Sequence, residues 1–185
     1  MKQTVIVTGH LAALKTTVSK RLAADLNAVC LNKDDLKEVL GDTIGFANRE
    51  ENLKLSAATF SLMRKLMPDI LKADDLVVLE SNFRRAEYEA VRRDAADAGI
   101  RVLTIFMTGD PDVLYARYLA RQESRHSVHK STGTIPPEMF TAILTPFDSA
   151  LYGEDAVLVD ATYFTETDYR DLLDLVRHRL EGGIR

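Results

Sequence analysis

Residues 4–17 read TVIVTGHLAALKTT, and this stretch decides how the rest of the chain is interpreted. Its first five residues are apolar or β-branched, which predicts a short buried strand that Gly9 ends. A helical pattern follows, with apolar residues at spacings of four from Val18 to Leu26. Lys15 and Thr16 therefore stand where a helix begins, directly after a strand and a short loop.

The loop matches the phosphate-binding pattern G-x-x-x-x-G-K-[ST] at every defined position but one, where Leu14 replaces the second glycine. Such a loop turns backbone N–H groups inward around phosphate oxygens at a helix N-terminus. Glycine at that position allows unusual backbone angles, so the Leu14 side chain must point away from a bound nucleotide. The correct spacing, the strand–loop–helix context and the small residues Ala12 and Ala13 outweigh this departure.

We predict that this loop binds ATP, with Lys15 on the β and γ phosphates and the Thr16 hydroxyl on Mg²⁺. The alternative is an ordinary strand-to-helix turn, although a lysine at a helix start is unfavourable to the helix dipole without an anion to meet. The predicted nucleotide-binding residues are Gly9, His10, Leu11, Ala12, Ala13, Leu14, Lys15, Thr16 and Thr17.

Length and composition fit one globular domain over residues 1–185. Hydrophobic residues make up 46% of the chain and charged residues 28%, which argues against disorder. The net charge of −4 disfavours a partner such as long nucleic acid. Cys30 is the only cysteine and no apolar run approaches the ~20 residues of a membrane span. We therefore expect a cytoplasmic protein without a membrane partner, whose oligomeric state the sequence leaves open.

Strands and helices alternate along the remainder of the chain. Further buried strands are predicted at 29–31, 76–79, 101–107 and 156–159. Helices are predicted around 34–40, 49–71, 91–98, after 110 and over 169–180. This alternation predicts an α/β three-layer sandwich with a five-stranded, mostly parallel sheet. In the longest helix, one apolar face is expected from Leu53, Ala57, Phe60 and Met67.

The segment Asn32-Lys33-Asp34-Asp35 stands at the end of the second predicted strand. Ligands in open α/β sheets bind beyond the carboxyl ends of the strands, so these acids are expected to face the phosphate-binding loop. A carboxylate there can accept the proton of an attacking hydroxyl while the phosphates are held. On spacing alone, one aspartate caps the following helix, and the other is either catalytic or structural.

Three segments, 9–17, 32–36 and 79–83, together resemble one group of kinases. These are the AAA-type P-loop kinases related to phage polynucleotide kinase, zeta toxins and chloramphenicol phosphotransferase, and the likeness covers nearly the whole chain. The resemblance implies a P-loop NTPase kinase-like fold in which Asp34 is the general base. It also implies that Glu80 and Asn82 contact substrate or the water around Mg²⁺. The family often carries Asp at the position of Glu80, so a structural hydrogen bond is the alternative there.

Arg117, Arg121 and Arg125 recur every four residues and lead into a segment rich in His, Ser, Thr, Gly and Pro. Guanidinium groups suit the charge on transferred phosphoryl oxygens. In the related kinases a mobile lid closes over ATP and supplies such arginines. The resemblance therefore implies a mobile lid at about 121–137, with Arg121 and Arg125 catalytic and Arg117 structural. A solvated charged face is the alternative.

The histidines of this segment, His126 and His129, are interpreted as surface or lid residues, because their pattern does not suit a zinc site.

The sequence as a whole predicts an ATP-dependent phosphotransferase that moves the γ-phosphate to a hydroxyl of a small-molecule or nucleotide-like acceptor. One alternative is a nucleotide-binding module without catalysis, for which Leu14 is the best evidence. A second is a 5′-hydroxyl polynucleotide kinase, which the acidic charge balance disfavours. The acceptor pocket is expected to involve the lid and the segment 42–71.

Overall fold

Five strands form one sheet in the computed structural model of the chain, which describes residues 1–130 and 133–182. They are β1 Gln3–Gly9, β2 Val29–Asn32, β3 Leu76–Glu80, β4 Arg101–Thr108 and β5 Val157–Asp160. Their spatial order is β2-β3-β1-β4-β5, and each pair of neighbours is parallel. The order reverses beside β1, so the loop after β1 lies where ligands bind in open α/β sheets.

Helices cover both faces of this sheet. They are α1 Lys15–Asp25, α2 Lys33–Ile44, α3 Arg49–Ala73, α4 Arg85–Asp97, α5 Pro111–Ala120, α6 Pro137–Ala142, α7 Ser149–Tyr152 and α8 Glu166–Glu181. Alternate residues of β1 face opposite sides: Val5 and Val7 join a core with α1, α5 and α8, whereas Ile6 joins one with α3 and α4. The predicted three-layer α/β sandwich is confirmed. No helix in the described part of the chain is long and apolar enough to span a membrane.

The long helix α3 buries a different face from the one expected. Its buried residues are Asn52, Leu55, Thr59, Met63, Met67 and Leu71. Of the expected face, only Met67 is buried; Leu53 is 47% exposed and Ala57 is also exposed. Both line an open cavity beside the loop after β1. The expectation was wrong because apolar side chains that face a ligand cavity follow the same helical spacing as core residues.

Gly9, the last residue of β1, lies directly against the backbone of β4. Its φ is +118°, and a Cβ at this position would overlap the backbone carbonyl of Met107. The next residue, His10, donates its backbone N–H to that same carbonyl at 2.8 Å. The chain can therefore leave the sheet and enter the loop only with a glycine at this point.

Replacing Gly9 with Ala is expected to destabilise the fold by at least about 2 kcal/mol, because it adds both backbone strain and a clash with β4. Gly99→Ala is the matched control, since Gly99 also has a positive φ of +66° but open space around its Cβ. The free energy of unfolding of that variant should fall by only about 1–2 kcal/mol. Urea denaturation measures both, and equal losses would contradict the proposed close approach.

Candidate active site

The loop between β1 and α1 has the backbone shape that an anion requires. Ala12 has φ 62° and Leu14 has φ 59°, both in the left-handed region. Alternation of left- and right-handed residues turns successive N–H groups toward one point. No side chain caps α1 and no acidic residue lies in its first turn, so its first N–H groups remain available to a phosphate. The Leu14 side chain packs against the apolar core.

Lys15 is buried beneath this loop, with only 7% of its surface exposed. Its ammonium donates a hydrogen bond of 2.5 Å to the His10 carbonyl. Burial lowers the pKa of Lys15 to about 8, against the opposing effect of the Glu80 carboxylate, while the Arg121 charge lowers it further. A bound phosphate would stabilise the ammonium, because it supplies the negative charge that this site lacks.

Glu80, at the end of β3, joins the loop to the neighbouring strands. Its Oε2 accepts a hydrogen bond of 3.0 Å from the Thr16 hydroxyl and another from the Asn32 amide. Burial raises the pKa of Glu80, although the Lys15 charge opposes this. Carboxylate and hydroxyl oxygens are ligands that Mg²⁺ accepts, and a nearby cation would favour the charged carboxylate. The residues at this position therefore fit Mg²⁺.

Protein side chains alone do not complete a metal site here. Among residues 1–130 and 133–182, no group of three or more His, Cys, Asp or Glu side chains is arranged to hold a metal ion. A magnesium ion beside Thr16 would therefore take its remaining ligands from phosphate oxygens and water, as is usual for Mg²⁺ in nucleotide sites.

The two aspartates at the start of α2 face different surroundings. Asn32 caps the helix, accepting a hydrogen bond of 2.9 Å from the Asp35 backbone N–H. The expectation that an aspartate provides this cap was therefore wrong. The Asp35 carboxylate pairs with Lys20 at 2.7 Å. The Asp34 side chain, which is 57% exposed, lines the cavity in front of the loop.

The three arginines expected on one helical face all line this cavity, although α5 ends before Arg121. Arg117 donates to the carbonyls of Ala161 at 2.6 Å and Thr162 at 2.9 Å, and so holds the loop that follows β5. Partial burial in the cavity wall, together with the Arg125 charge, lowers the pKa of Arg121. Arginine side chains in proteins stay charged, so Arg121 and Arg125 bring two positive charges to the wall of this cavity.

Part of the predicted lid is docked on α2 and α3. A 3₁₀ turn, Ser127–His129, places Val128 in full burial, with Gly41 of α2 against it. The Val128 carbonyl accepts a hydrogen bond of 2.8 Å from the Asn52 amide of α3. Residues 131 and 132 of the predicted lid lie outside the described residues, and its mobility stays a prediction.

The two histidines of this segment differ in their surroundings. The His129 side chain is only 6% exposed; its Nε2 lies 3.0 Å from Glu38 Oε1 and its Nδ1 3.9 Å from Asp34 Oδ1. His126 is more exposed, and its Nε2 lies 3.0 Å from Asp42 Oδ1. The sequence had shown His129 only as a surface or lid residue, because its carboxylate partners lie far away along the chain.

His10 ties the loop to its surroundings. Its Nε2 lies 2.9 Å from the Thr145 carbonyl and its Nδ1 3.2 Å from the Thr108 hydroxyl. Its ring packs edge-on against Phe106 of β4. Burial lowers the pKa of His10, although the hydrogen bond to Thr145 opposes this. These contacts hold the loop against β4 and against the segment that precedes α7.

One cavity of about 1490 Å³ is lined by every residue that the sequence predicted for the site. These are Gly9, His10, Leu11, Ala12, Ala13, Leu14, Lys15, Thr16, Thr17, Asp34, Glu80, Asn82, Arg121 and Arg125. Pockets for single small ligands typically measure about 300–1,000 Å³, so this cavity has room for a nucleotide and a second molecule.

Sequence analysis missed two lysines in this cavity. Lys33 and Lys37 flank Asp34 on α2 and both line the cavity. Lys33 pairs with Glu87 at 2.8 Å, and Lys37 donates to the Asn52 side-chain oxygen at 2.7 Å. Their spacing of four residues around a candidate base was the signal that could have found them.

Comparison with protein families and solved structures agrees with this geometry. A family model described as AAA domain matches residues 5–135. No curated protein matches the chain significantly. A candidate kinase from Chloroflexus aurantiacus J-10-fl is 29% identical, with a TM-score of 0.84 over 96% of this chain and 97% of that one.

More distant structures share the fold. A gluconokinase from Sinorhizobium meliloti 1021 is 16% identical, with a TM-score of 0.64 and coverage of 99% and 98%. The APS kinase of Mycobacterium tuberculosis, solved with AMPPNP and APS, is 18% identical, with a TM-score of 0.62 and coverage of 95% and 98%. At such identities the likeness shows the fold, which is that of P-loop kinases.

The buried Lys15 ammonium makes stability depend on pH. Its pKa is lowered to about 8 in the folded protein, whereas an unfolded lysine titrates at about 10.4. The unfolded chain binds more protons between these values, so the cost of burial is present below pH 8 and disappears as the pH rises to about 10.4. The free energy of unfolding of the wild type, measured relative to Lys15→Met, should therefore rise by up to about 3 kcal/mol across this window.

Urea denaturation without nucleotide at about pH 7 and about pH 10 measures this change. Lys20→Met is the control, because the hydrogen bond that Lys20 donates to the Asp35 carboxylate raises the pKa of Lys20, so no such gain in stability should appear. A constant difference between wild type and Lys15→Met across the window would contradict the burial of a charged Lys15.

Proposed function

The chain belongs to the AAA domain family, and from this premise we propose that it is an ATP-dependent phosphotransferase acting on a hydroxyl group. The observation that carries the proposal is the meeting of Lys15, Thr16, Glu80 and Asp34 in one cavity with room for two molecules. The matches at 32–36 and 79–83 further support a place beside the zeta-toxin, polynucleotide-kinase and chloramphenicol-phosphotransferase group.

The loop and Lys15 would hold the ATP phosphates. Backbone N–H groups around Ala12 and Leu14 provide the cradle, and the Lys15 ammonium meets the β and γ phosphates. Thr16 would ligate Mg²⁺ with Glu80 beside it. When it is bound, Mg²⁺ would neutralise part of the negative charge of the phosphates.

Asp34 would act as the general base. It lines the cavity at the edge where the strands end, close enough to Lys15 for its charge to influence the pKa of that ammonium. A carboxylate there can accept the proton of the acceptor hydroxyl as the oxygen attacks the γ-phosphate. Arg121 and Arg125 would stabilise the charge on the transferred phosphoryl oxygens.

The acceptor would bind between α2, α3 and α4. Leu53, Ser56 and Ala57 supply a mixed apolar and polar wall, and Asn82 and Lys33 line the same cavity. The names of the structural neighbours, gluconokinase, shikimate kinase and APS kinase, indicate small-molecule acceptors for those proteins. We extend this to a small-molecule or nucleotide-like acceptor here, in a cytoplasmic enzyme with a mobile lid over about 121–137.

Two other functions have weaker support. A nucleotide-binding module without catalysis would explain Leu14, but it would give no role to the Asp34 carboxylate in the cavity. A 5′-hydroxyl polynucleotide kinase shares the proposed chemistry, but the net charge of −4 disfavours a polyanionic partner.

A screen for ATP consumption tests the proposed function. Purified protein with MgATP is offered hydroxyl-bearing metabolites, antibiotics and 5′-hydroxyl oligonucleotides, and ADP formation is measured against a no-acceptor control. We expect a small-molecule acceptor to stimulate turnover. Tight ATP binding without turnover for any acceptor would favour the binding module, and stimulation only by oligonucleotides would favour the polynucleotide kinase.

Asp34→Asn should lose phosphoryl transfer by ~10²–10⁴-fold while ATP affinity is retained, because a general base acts only on the acceptor. Asp35→Asn is the matched control, since its carboxylate pairs with Lys20 and does not line the cavity. That variant should lose about 1 kcal/mol of stability or less and keep its turnover. Turnover of the acceptor from the screen, together with a melting curve for each variant, decides the comparison.

Loss of turnover in Asp35→Asn with activity retained in Asp34→Asn would assign the base to the neighbouring residue. If both variants remained active, the base would have to be sought at Glu80.

A further inference from the structure

His129 reaches the candidate base from a segment distant in sequence. Its 3₁₀ turn is fixed at two points: Val128 is fully buried against Gly41, and the Asn52 amide binds the Val128 carbonyl at 2.8 Å. Asn52 is itself buried and is held by Lys37 at 2.7 Å. These contacts hold the His129 side chain against α2.

The imidazole of His129 lies between two carboxylates of α2. Nε2 is 3.0 Å from Glu38 Oε1, a hydrogen-bond distance, and Nδ1 is 3.9 Å from Asp34 Oδ1. A neutral imidazole carries one proton, and the bond to Glu38 places it on Nε2. The Nδ1 lone pair then faces Asp34. Catalytic hydrogen bonds are often long before substrate binds, and the distance of 3.9 Å fits that pattern.

We propose that His129 is a positioning residue for Asp34, and that it receives the proton which Asp34 takes from the acceptor hydroxyl. The inference rests on the proposed function, because it requires Asp34 to be the base. The acceptor O–H bond breaks as an Asp34 O–H bond forms. That bond then breaks as an Nδ1–H bond forms, and the Glu38 carboxylate stabilises the resulting imidazolium.

Several charges act on His129, and they determine its pH dependence. Burial lowers the pKa of His129; Asp34 and Glu38 oppose this by favouring the imidazolium, whereas the charges of Arg125 and Lys37 lower the pKa further. The His126 ring lies 6.4 Å away. His129 is therefore neutral near pH 7 and can accept a proton, and this ability is lost as the pH falls through its pKa.

Proton NMR titration of the histidine rings tests the coupling without any acceptor. In Asp34→Asn, the pKa of His129 should fall by about one pH unit, because a carboxylate that favours the imidazolium is removed. His126, whose partner is Asp42, is the internal control. An unchanged pKa of His129 in Asp34→Asn would overturn the proposal.

The pH profile of MgATP hydrolysis, with water in place of the acceptor, tests the proton transfer. The wild type should lose activity as His129 becomes protonated, whereas His129→Gln should be about tenfold slower at pH 7.5 and lack that acid limb. His126→Gln is the control and should keep the wild-type profile. An acid limb that persists in His129→Gln would overturn the proposal. A protein that turns over no ATP with any acceptor of the screen but shows the NMR shift would contradict the proposed function and support the coupling.

Discussion

The buried ammonium of Lys15 is the interaction on which the rest of the site depends. Taking a lysine out of water is unfavourable, and its pKa is lowered to about 8 as a result. Glu80 and the His10 carbonyl compensate for part of this cost, and each is held by other parts of the fold: Glu80 by Thr16 and Asn32, and His10 by β4. An arriving phosphate would add the missing negative charge. The buried charge of Lys15 therefore favours an anion at this position, which supports the proposed binding of the ATP phosphates.

The sequence predicted the sheet and the loop because both have local signals. Parallel strands that are buried on both faces read as short apolar runs, and the spacing from Gly9 to Lys15 is set by the loop itself. The role of Glu80 had no local signal. It follows from the register of β2 against β3, which pairs Asn32 with Glu80 and puts the amide on the carboxylate. Such a pairing appears only when the strands are assembled.

Two other features lay beyond the reach of sequence patterns. Leu53 follows the spacing of a core residue but lines the cavity, since helical periodicity does not distinguish a core from a ligand pocket. His129 meets Glu38 across 91 residues of chain, through a turn whose docking depends on Val128 and Asn52. Contacts of this length are decided by tertiary packing. The sequence and the family resemblance therefore predicted the residues that line the cavity at the loop, the strand ends and the lid, but missed Lys33, Lys37 and the contacts of His129.

Leu14 is the residue on which the proposed binding of ATP by this loop most depends. A leucine in the left-handed region costs about 1–2 kcal/mol, and its φ of 59° shows that the loop adopts the glycine-like shape in spite of this. Calorimetric titration of MgATP into wild type and Leu14→Gly tests directly whether the natural loop binds ATP. We predict that both proteins bind MgATP, with affinities within about tenfold of each other. Absence of binding by the wild type, restored in Leu14→Gly, would contradict it.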